Sequence, residues 1–155
     1  MKPRHHRREL VGPLAGEPAE VRQRLTADLD LHPDAAILHV EGEADAYTLA
    51  RWRAILDDAI AAATPTGLLV VDLSAIQFIG CRPILDLADR AQQAPARGVQ
   101  IVVFNPFPGV VDRVITIAGL SAWLPIYTTL AQALATRRSP APAPARPVVP
   151  VPGAR

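Results

Sequence analysis

Leu68-Leu69-Val70-Val71-Asp72-Leu73 is a run of six residues with one polar member, and it does not alternate apolar with polar. A strand with one wet face alternates, because successive side chains point to opposite sides of the sheet. A strand covered on both faces reads as nearly continuous apolar sequence. The run therefore predicts an interior strand with protein packed on both sides. Pro65 and Gly67 punctuate the chain before it. After it, a helix begins near Pro83, a residue suited to a first helical turn. Its stripe is Ile84, Leu87, Ala88 and Ala91, at spacings of three and four. Val99 to Phe104 is a second buried strand. A strand, a helix and another buried strand in succession indicate parallel pairing by a crossover connection.

The pattern extends in both directions. Upstream, Leu25 to Leu31 and Ala35 to Val40 read as two strands joined near His32-Pro33-Asp34. His39 lies inside the second and reads as a structural histidine. Asp45 is placed to cap a helix whose stripe is Leu49, Trp52, Leu56, Ile60 and Ala63, with Arg51, Asp57 and Asp58 on other faces. Downstream, Pro108 opens a third helix, with Val110, Val111, Val114, Ile115 and Ala118 facing inward and Gly119 stopping it. Leu124 to Tyr127 is a short strand, and Thr128 or Thr129 caps a last helix running through Leu134. The expected fold is α/β, with a mostly parallel or mixed sheet and helices packed against it.

A length of 155 residues, half of them apolar, favours one domain with a real core. The net charge of +1 conceals segregation. Residues 1–24 carry six basic and three acidic side chains, residues 25–135 six basic and twelve acidic, and residues 136–155 four basic and none acidic. We therefore expect a basic, flexible N-terminal segment over 1–24, an acidic folded domain over 25–135, and a disordered tail over 136–155. Ser139 to Arg155 holds six prolines and reads as an extended, solvated, polyproline-like tail. An acidic domain repels phosphate backbones, so direct nucleic-acid binding is not expected. The longest apolar runs are far shorter than the roughly 20 residues a membrane helix needs. The basic N-terminus runs into Glu9, Gly12 and Pro13 rather than an apolar stretch, unlike a signal peptide. The single cysteine, Cys81, fits a reducing compartment, and the expected location is cytoplasmic. Oligomeric state is left open.

Ligands to such sheets sit where loops leave the carboxyl ends of strands. Two segments stand there: Gly42-Glu43-Ala44-Asp45, and Phe78-Ile79-Gly80-Cys81-Arg82-Pro83. Val40-Glu41-Gly42-Glu43-Ala44-Asp45, then Val71-Asp72-Leu73-Ser74-Ala75-Ile76-Gln77-Phe78-Ile79, then Gly98 to Pro106, then Ala118-Gly119-Leu120, occur in that order. Together they resemble the STAS domain family, of the anti-sigma factor antagonist type, over about Leu25 to Ala135. The resemblance implies a module that binds an anti-sigma factor, often itself a serine kinase, in partner-switching control of transcription. It places the partner-binding surface at Asp45, Gly80, Cys81, Arg82 and Pro83. A STAS accessory or scaffold subunit of a transporter or sensory complex is the alternative.

The loop departs from the family pattern. Where such proteins read Asp-Ser-Ser/Thr-Gly, this chain reads Gly80-Cys81-Arg82-Pro83. Arg82 occupies the phosphoacceptor position and offers no hydroxyl. Pro83 removes an N–H from a helix start that would hold an anion. No phosphorylation is expected at this loop. Ser74 matches the family and is assigned to the strand-to-loop turn rather than to phosphate. Arg82 is expected either to pair with Asp45 or to extend into water while Asp45 caps its own helix.

Enzyme readings are weaker. Cys81 beside a helix start and Arg82 has the minimum for a reactive thiol, but no histidine or second cysteine lies near it in sequence. Asp45 and Asp72 do not make a hydrolytic pair on sequence grounds. His5-His6 has no third ligand nearby, and no Walker-type loop occurs. No catalytic residue, metal or cofactor is expected.

Overall fold

A computed structural model describes residues 6–107 and 109–136. Pro108, the side chain of Val110, the His5-His6 pair as a possible ligand set and the proline-rich segment from 137 onward lie outside the described residues. The elements in chain order are β1 (His6–Glu9), α1 (Ala19–Arg24), β2 (Leu25–Leu31), β3 (Ala36–Ala44), α2 (Leu49–Ala63), β4 (Leu68–Ile79), α3 (Cys81–Gln93), a 3-10 turn (Ala94–Arg97), β5 (Gln100–Phe104), α4 (Val110–Ile117), β6 (Ile126–Tyr127) and α5 (Leu130–Ala135). The six strands form one sheet in the order β1-β2-β3-β4-β5-β6. β2 pairs antiparallel with both β1 and β3, whereas β3 to β6 run parallel. The sheet is mixed, as the sequence predicts.

Alternation decides what each face buries. Leu25, Ala27 and Leu29 of β2, Leu38 and Val40 of β3, Leu69, Val71 and Leu73 of β4, and Ile101 and Val103 of β5 share one core. Helices α2, α3 and α4 close it with Trp52, Ile55, Leu56, Ile84, Leu87, Val111 and Ile115. The opposite set, Ile37, Leu68, Val70 and Val102, is covered by α5 through Ala133, with Leu130 and Leu134 packed at its edge. The continuous apolar run of β4 is thus explained by cover on both faces, heavy on one side and light on the other.

Four expectations need correction. Residues 1–24 were expected to be a flexible segment outside the fold. Instead β1 pairs with β2, Leu10 is buried, and its N–H donates to Ala27 O at 2.9 Å. The sequence His6-Arg7-Arg8-Glu9 hides this strand because it carries no apolar alternation. Its side-chain anchor is ionic, Arg7 Nη2 to Asp28 Oδ2 at 3.0 Å. Arg51, expected away from the core, is 1% exposed. Ala118, expected to face inward, is exposed, since α4 ends at Ile117. Finally, β4 runs on to Ile79, so Ser74 lies within the strand rather than in a turn, and α3 starts at Cys81, two residues before Pro83.

Arg51 explains why the N-terminal segment belongs to the fold. Its Nε donates to Leu25 O at 2.6 Å, its Nη1 to Gly12 O at 3.3 Å and Nη2 to Val11 O at 3.1 Å. Nη1 also pairs with Glu17 Oε1 at 3.2 Å, and the Glu17 side chain is only 6% exposed. Removing one partner of a buried pair strands the other charge, at a cost of about 3–5 kcal/mol. Arg51→Ala is therefore expected to lower the unfolding free energy by about that amount in a urea titration. A change within experimental error would show that the network contributes nothing to stability.

Gly42 has a separate constraint. Its φ is +107°, and a Cβ there would lie 2.0 Å from the carbonyl oxygen of Arg24. Backbone, not a flexible side chain, fills that space. Gly42→Ala is expected to cost at least about 2 kcal/mol in the same titration, from strain plus collision.

Candidate functional site

The carboxyl ends of β3 and β4 lie side by side, with Glu43 opposite Phe78 and Ala44 opposite Ile79. Two register shifts, at His39/Glu41 and at Gly42/Glu43, bend this end of the pair. The Gly80 N–H donates to Ala44 O at 2.9 Å, which fastens the loop after β4 to the loop after β3. Gly80 is the N-cap of α3 in extended conformation, with φ −81° and ψ 170°. A Cβ on Gly80 would make only ordinary contacts. Glycine here is thus a choice of size, not of conformation.

The five residues assigned to the surface have different environments. Cys81 and Arg82 are exposed on the first turn of α3. Pro83 is buried, and its carbonyl accepts the indole N–H of Trp52 at 3.0 Å. It anchors the loop from beneath and ties α3 to α2. Three large apolar side chains on the segments that flank the two loops are exposed: Tyr47 at 78%, Phe78 at 54% and Leu85 at 39%.

The expected pairing of Arg82 with Asp45 is not formed. Arg82 Nε lies 3.5 Å from Asp86 Oδ1, one turn along its own helix, and Asp86 also receives Arg53 Nε at 2.7 Å. Asp45 is taken by Arg24, whose Nη2 is 2.6 Å from Asp45 Oδ2 and 2.7 Å from Glu43 Oε2. Hydrogen bonding to Glu43, then the nearby Asp45 charge, outweighs desolvation and raises the Arg24 pKa above its ordinary value. The guanidinium also lies 5.7 Å from the Tyr47 ring centroid, within cation–π range. The other expectation for Asp45 is met in altered form. Its Oδ1 accepts the N–H of Tyr47 at 2.9 Å and of Thr48 at 3.0 Å, but the N-cap of α2 is Thr48.

Sequence reasoning missed Arg24 and Tyr47. Arg24 belongs to a segment read as lying outside the domain, and only its position directly before the Leu25 strand offered a clue. His39 is structural, as expected: its Nδ1 is 2.7 Å from Asp72 Oδ2, on the sheet face away from α2 and α3. Among the described residues no group of three acidic, histidine or cysteine side chains is arranged to hold a metal. No helix among them is long and apolar enough to cross a membrane.

Asp72 links this region to pH. Burial alone would raise its pKa, but hydrogen bonds from His39 and Ser74 and the His39 charge together hold it below 3.8. A carboxylate depressed in the folded state stabilises above its unfolded pKa, and that stability is lost as pH falls through the folded value. Wild type should therefore lose stability on acidification below 3.8, and Asp72→Asn should lose less over the same interval. Melting temperatures of both proteins from about pH 5 to about pH 2 check this; parallel curves would contradict it.

Comparison with known proteins identifies the family and the fold. The STAS domain matches residues 26–133. A candidate anti-anti-sigma factor of Mycobacterium tuberculosis is 34% identical over 133 residues, covering 86% of this chain and 89% of that protein. The anti-sigma-F factor antagonist RsfA of the same organism is 33% identical over 114 residues, covering 74% of this chain and 88% of RsfA. Among solved structures, an anti-sigma factor antagonist from Mycobacterium paratuberculosis superimposes with a TM-score of 0.63 at 28% identity, covering 74% of this chain and 94% of that one. Unphosphorylated SpoIIAA, at 19% identity and a TM-score of 0.56, covers 72% of this chain and 96% of its own and shares the fold. With the family's domain running from β2 to α5, and with relatives of this identity and coverage, the chain belongs to the STAS domain family.

Proposed function

We propose that this chain is a non-enzymatic binding protein that engages an anti-sigma factor through the carboxyl edge of β3 and β4, and so controls a sigma factor in the cytoplasm. The observation that carries the reading is that Cys81 and Arg82 are exposed at the start of α3, between the exposed Phe78 at the end of β4 and Leu85 on α3, in a chain whose relatives are named as antagonists of anti-sigma factors. Large exposed apolar side chains grouped beside a rigid loop are typical interface anchors. Asp45, Gly80 and Pro83 act as supports: they fix the loops, while Cys81 and Arg82 meet the partner.

Phosphate does not switch this surface. Gly80 to Pro83 contains no hydroxyl side chain. Ser74 is half-buried within β4, and its N–H is committed to Asp72 Oδ1 at 2.8 Å. Binding is then set by concentration of the partners rather than by modification of this loop.

The test is affinity capture of the full chain from its host, with identification of the bound protein by mass spectrometry. An anti-sigma factor is expected, and Tyr47→Ala/Phe78→Ala should release it, because loss of central aromatic anchors commonly costs about 2 kcal/mol or more each. Adding ATP to the purified complex should leave it intact. Capture of a transporter subunit instead would overturn the reading, and ATP-dependent dissociation accompanied by phosphate on this chain would overturn the constitutive part of it.

A further inference from the structure

Arg24 precedes the family's domain, which begins at residue 26, yet its side chain reaches the carboxyl edge of the sheet. It crosses from the end of α1 to the end of β3. There its Nη2 donates to Asp45 Oδ2 at 2.6 Å and to Glu43 Oε2 at 2.7 Å, and its Nε donates to Glu43 Oε2 at 3.1 Å. The guanidinium also lies 5.7 Å from the centroid of the exposed Tyr47 ring. The Tyr47 N–H in turn donates to Asp45 Oδ1. One cation from the N-terminal segment thus ties together two carboxylates and an exposed aromatic ring. The segment is fastened to allow this: Arg51 holds Val11, Gly12 and Glu17, and Gly42 leaves room for the Arg24 carbonyl.

The same rule holds beside the first turn of α3. Asp86 receives Arg53 Nε at 2.7 Å and Arg82 Nε at 3.5 Å. Glu43, Asp45 and Asp86 therefore each have an arginine of this chain. A partner that brings a lysine or arginine towards one of them meets a guanidinium already in place, and like charges brought together disfavour the complex. Without Arg24, Glu43 and Asp45 would offer two neighbouring negative charges to such a cation.

We infer that Arg24 is a specificity-determining residue of the partner surface: it masks Glu43 and Asp45 against cationic partners and selects one that lays a neutral, apolar segment over Tyr47, with no lysine or arginine opposite Asp45. This rests on the reading of the carboxyl edge as the binding surface. Two features separate masking from a plain structural bridge. Exposed ion pairs contribute little to stability, and the Arg24 side chain is 39% exposed, so the fold does not depend on it. The cover is also effective where it matters, since the Asp45 side chain is left only 17% exposed. A neutral segment then docks beside carboxylates whose charge is already answered, and it need not strip water from an unpaired one.

The full chain and the protein recovered with it by affinity capture test the idea. Arg24→Gln should bind that protein roughly tenfold more weakly than wild type, with a melting temperature within about 3 °C of wild type. Arg24→Lys keeps the charge but not the fork, and should fall between them. Arg24→Gln/Glu43→Gln/Asp45→Asn removes the mask together with what it masks, and the amide oxygen at position 45 still accepts the N–H groups of Tyr47 and Thr48. Its affinity should return to within about threefold of wild type. A triple variant as weak as Arg24→Gln would overturn the proposal, because Arg24 would then be contacting the partner directly. Equal or tighter binding by Arg24→Gln would overturn it too. The free chain gives an independent reading with tri-arginine as the probe: the amide NMR signals of Tyr47 and Thr48 should shift in Arg24→Gln and hold in wild type, and equal shifts in both would contradict masking. Capture of a protein other than an anti-sigma factor would overturn the functional reading alone, since the mask is measured against whichever protein binds this edge.

Discussion

The guanidinium of Arg51 is the interaction on which the arrangement of this molecule turns. A fully buried cation is unfavourable unless hydrogen bonds and an anion replace the water it loses. Here they come from four places that are distant in sequence: Val11, Gly12, Glu17 and the first residue of β2. Meeting the needs of one side chain on α2 thus requires the N-terminal segment to lie against the start of β2. Once that is so, α1 ends at a fixed point, and Arg24 is held directly before Leu25. Gly42 completes the constraint from the other side, since only a residue without a Cβ lets β3 pass the Arg24 carbonyl.

The position of Arg24 then governs the charge at the carboxyl edge of the sheet. Glu43 at the end of β3 and Asp45 just after it would repel each other; one guanidinium within 2.7 Å of both offsets that repulsion. Asp45 is further occupied by two backbone N–H groups that shape the entry to α2. A helix start disfavours a cation by about 0.3–1 kcal/mol. Arg82 nevertheless turns along α3 to Asp86, because that acceptor is one turn away whereas Asp45 is already satisfied. The expected pairing lost a competition that the sequence did not display.

What was legible followed from burial. The continuous apolar run of β4, the stripe Ile84, Leu87, Ala88 and Ala91, and the cap at Thr129, which accepts the Gln132 N–H, all have short-range signatures. The illegible features depend on partners remote in sequence. β1 pairs with β2, with Arg7 opposite Asp30 and ion-paired to Asp28, although its own residues carry no strand signature. Arg51 reads as a solvated helix charge until the carbonyls of Val11, Gly12 and Leu25 are in place. The extension of β4 through Ser74 to Ile79 is similar, for its second half is mostly exposed and owes its pairing to the bent end of β3. Of Gly80 to Pro83, read as a loop, only Gly80 precedes α3, and sequence could not show that Pro83 is buried with its carbonyl on the Trp52 indole.

These two kinds of information divide the labour within the site. Backbone and buried groups, namely Gly80 bonded to Ala44, Pro83 bonded to Trp52 and Thr48 bonded to Glu43 O at 2.9 Å, make the two loops a single rigid unit. Rigidity of this sort lowers the entropy that a partner must offset on binding. The exposed groups on that unit are then free to vary without cost to the fold. Arg82 is such a group: its side chain is 69% exposed and its ion pair is with Asp86 on its own helix. A change at an exposed position of this kind leaves the packing of the core intact.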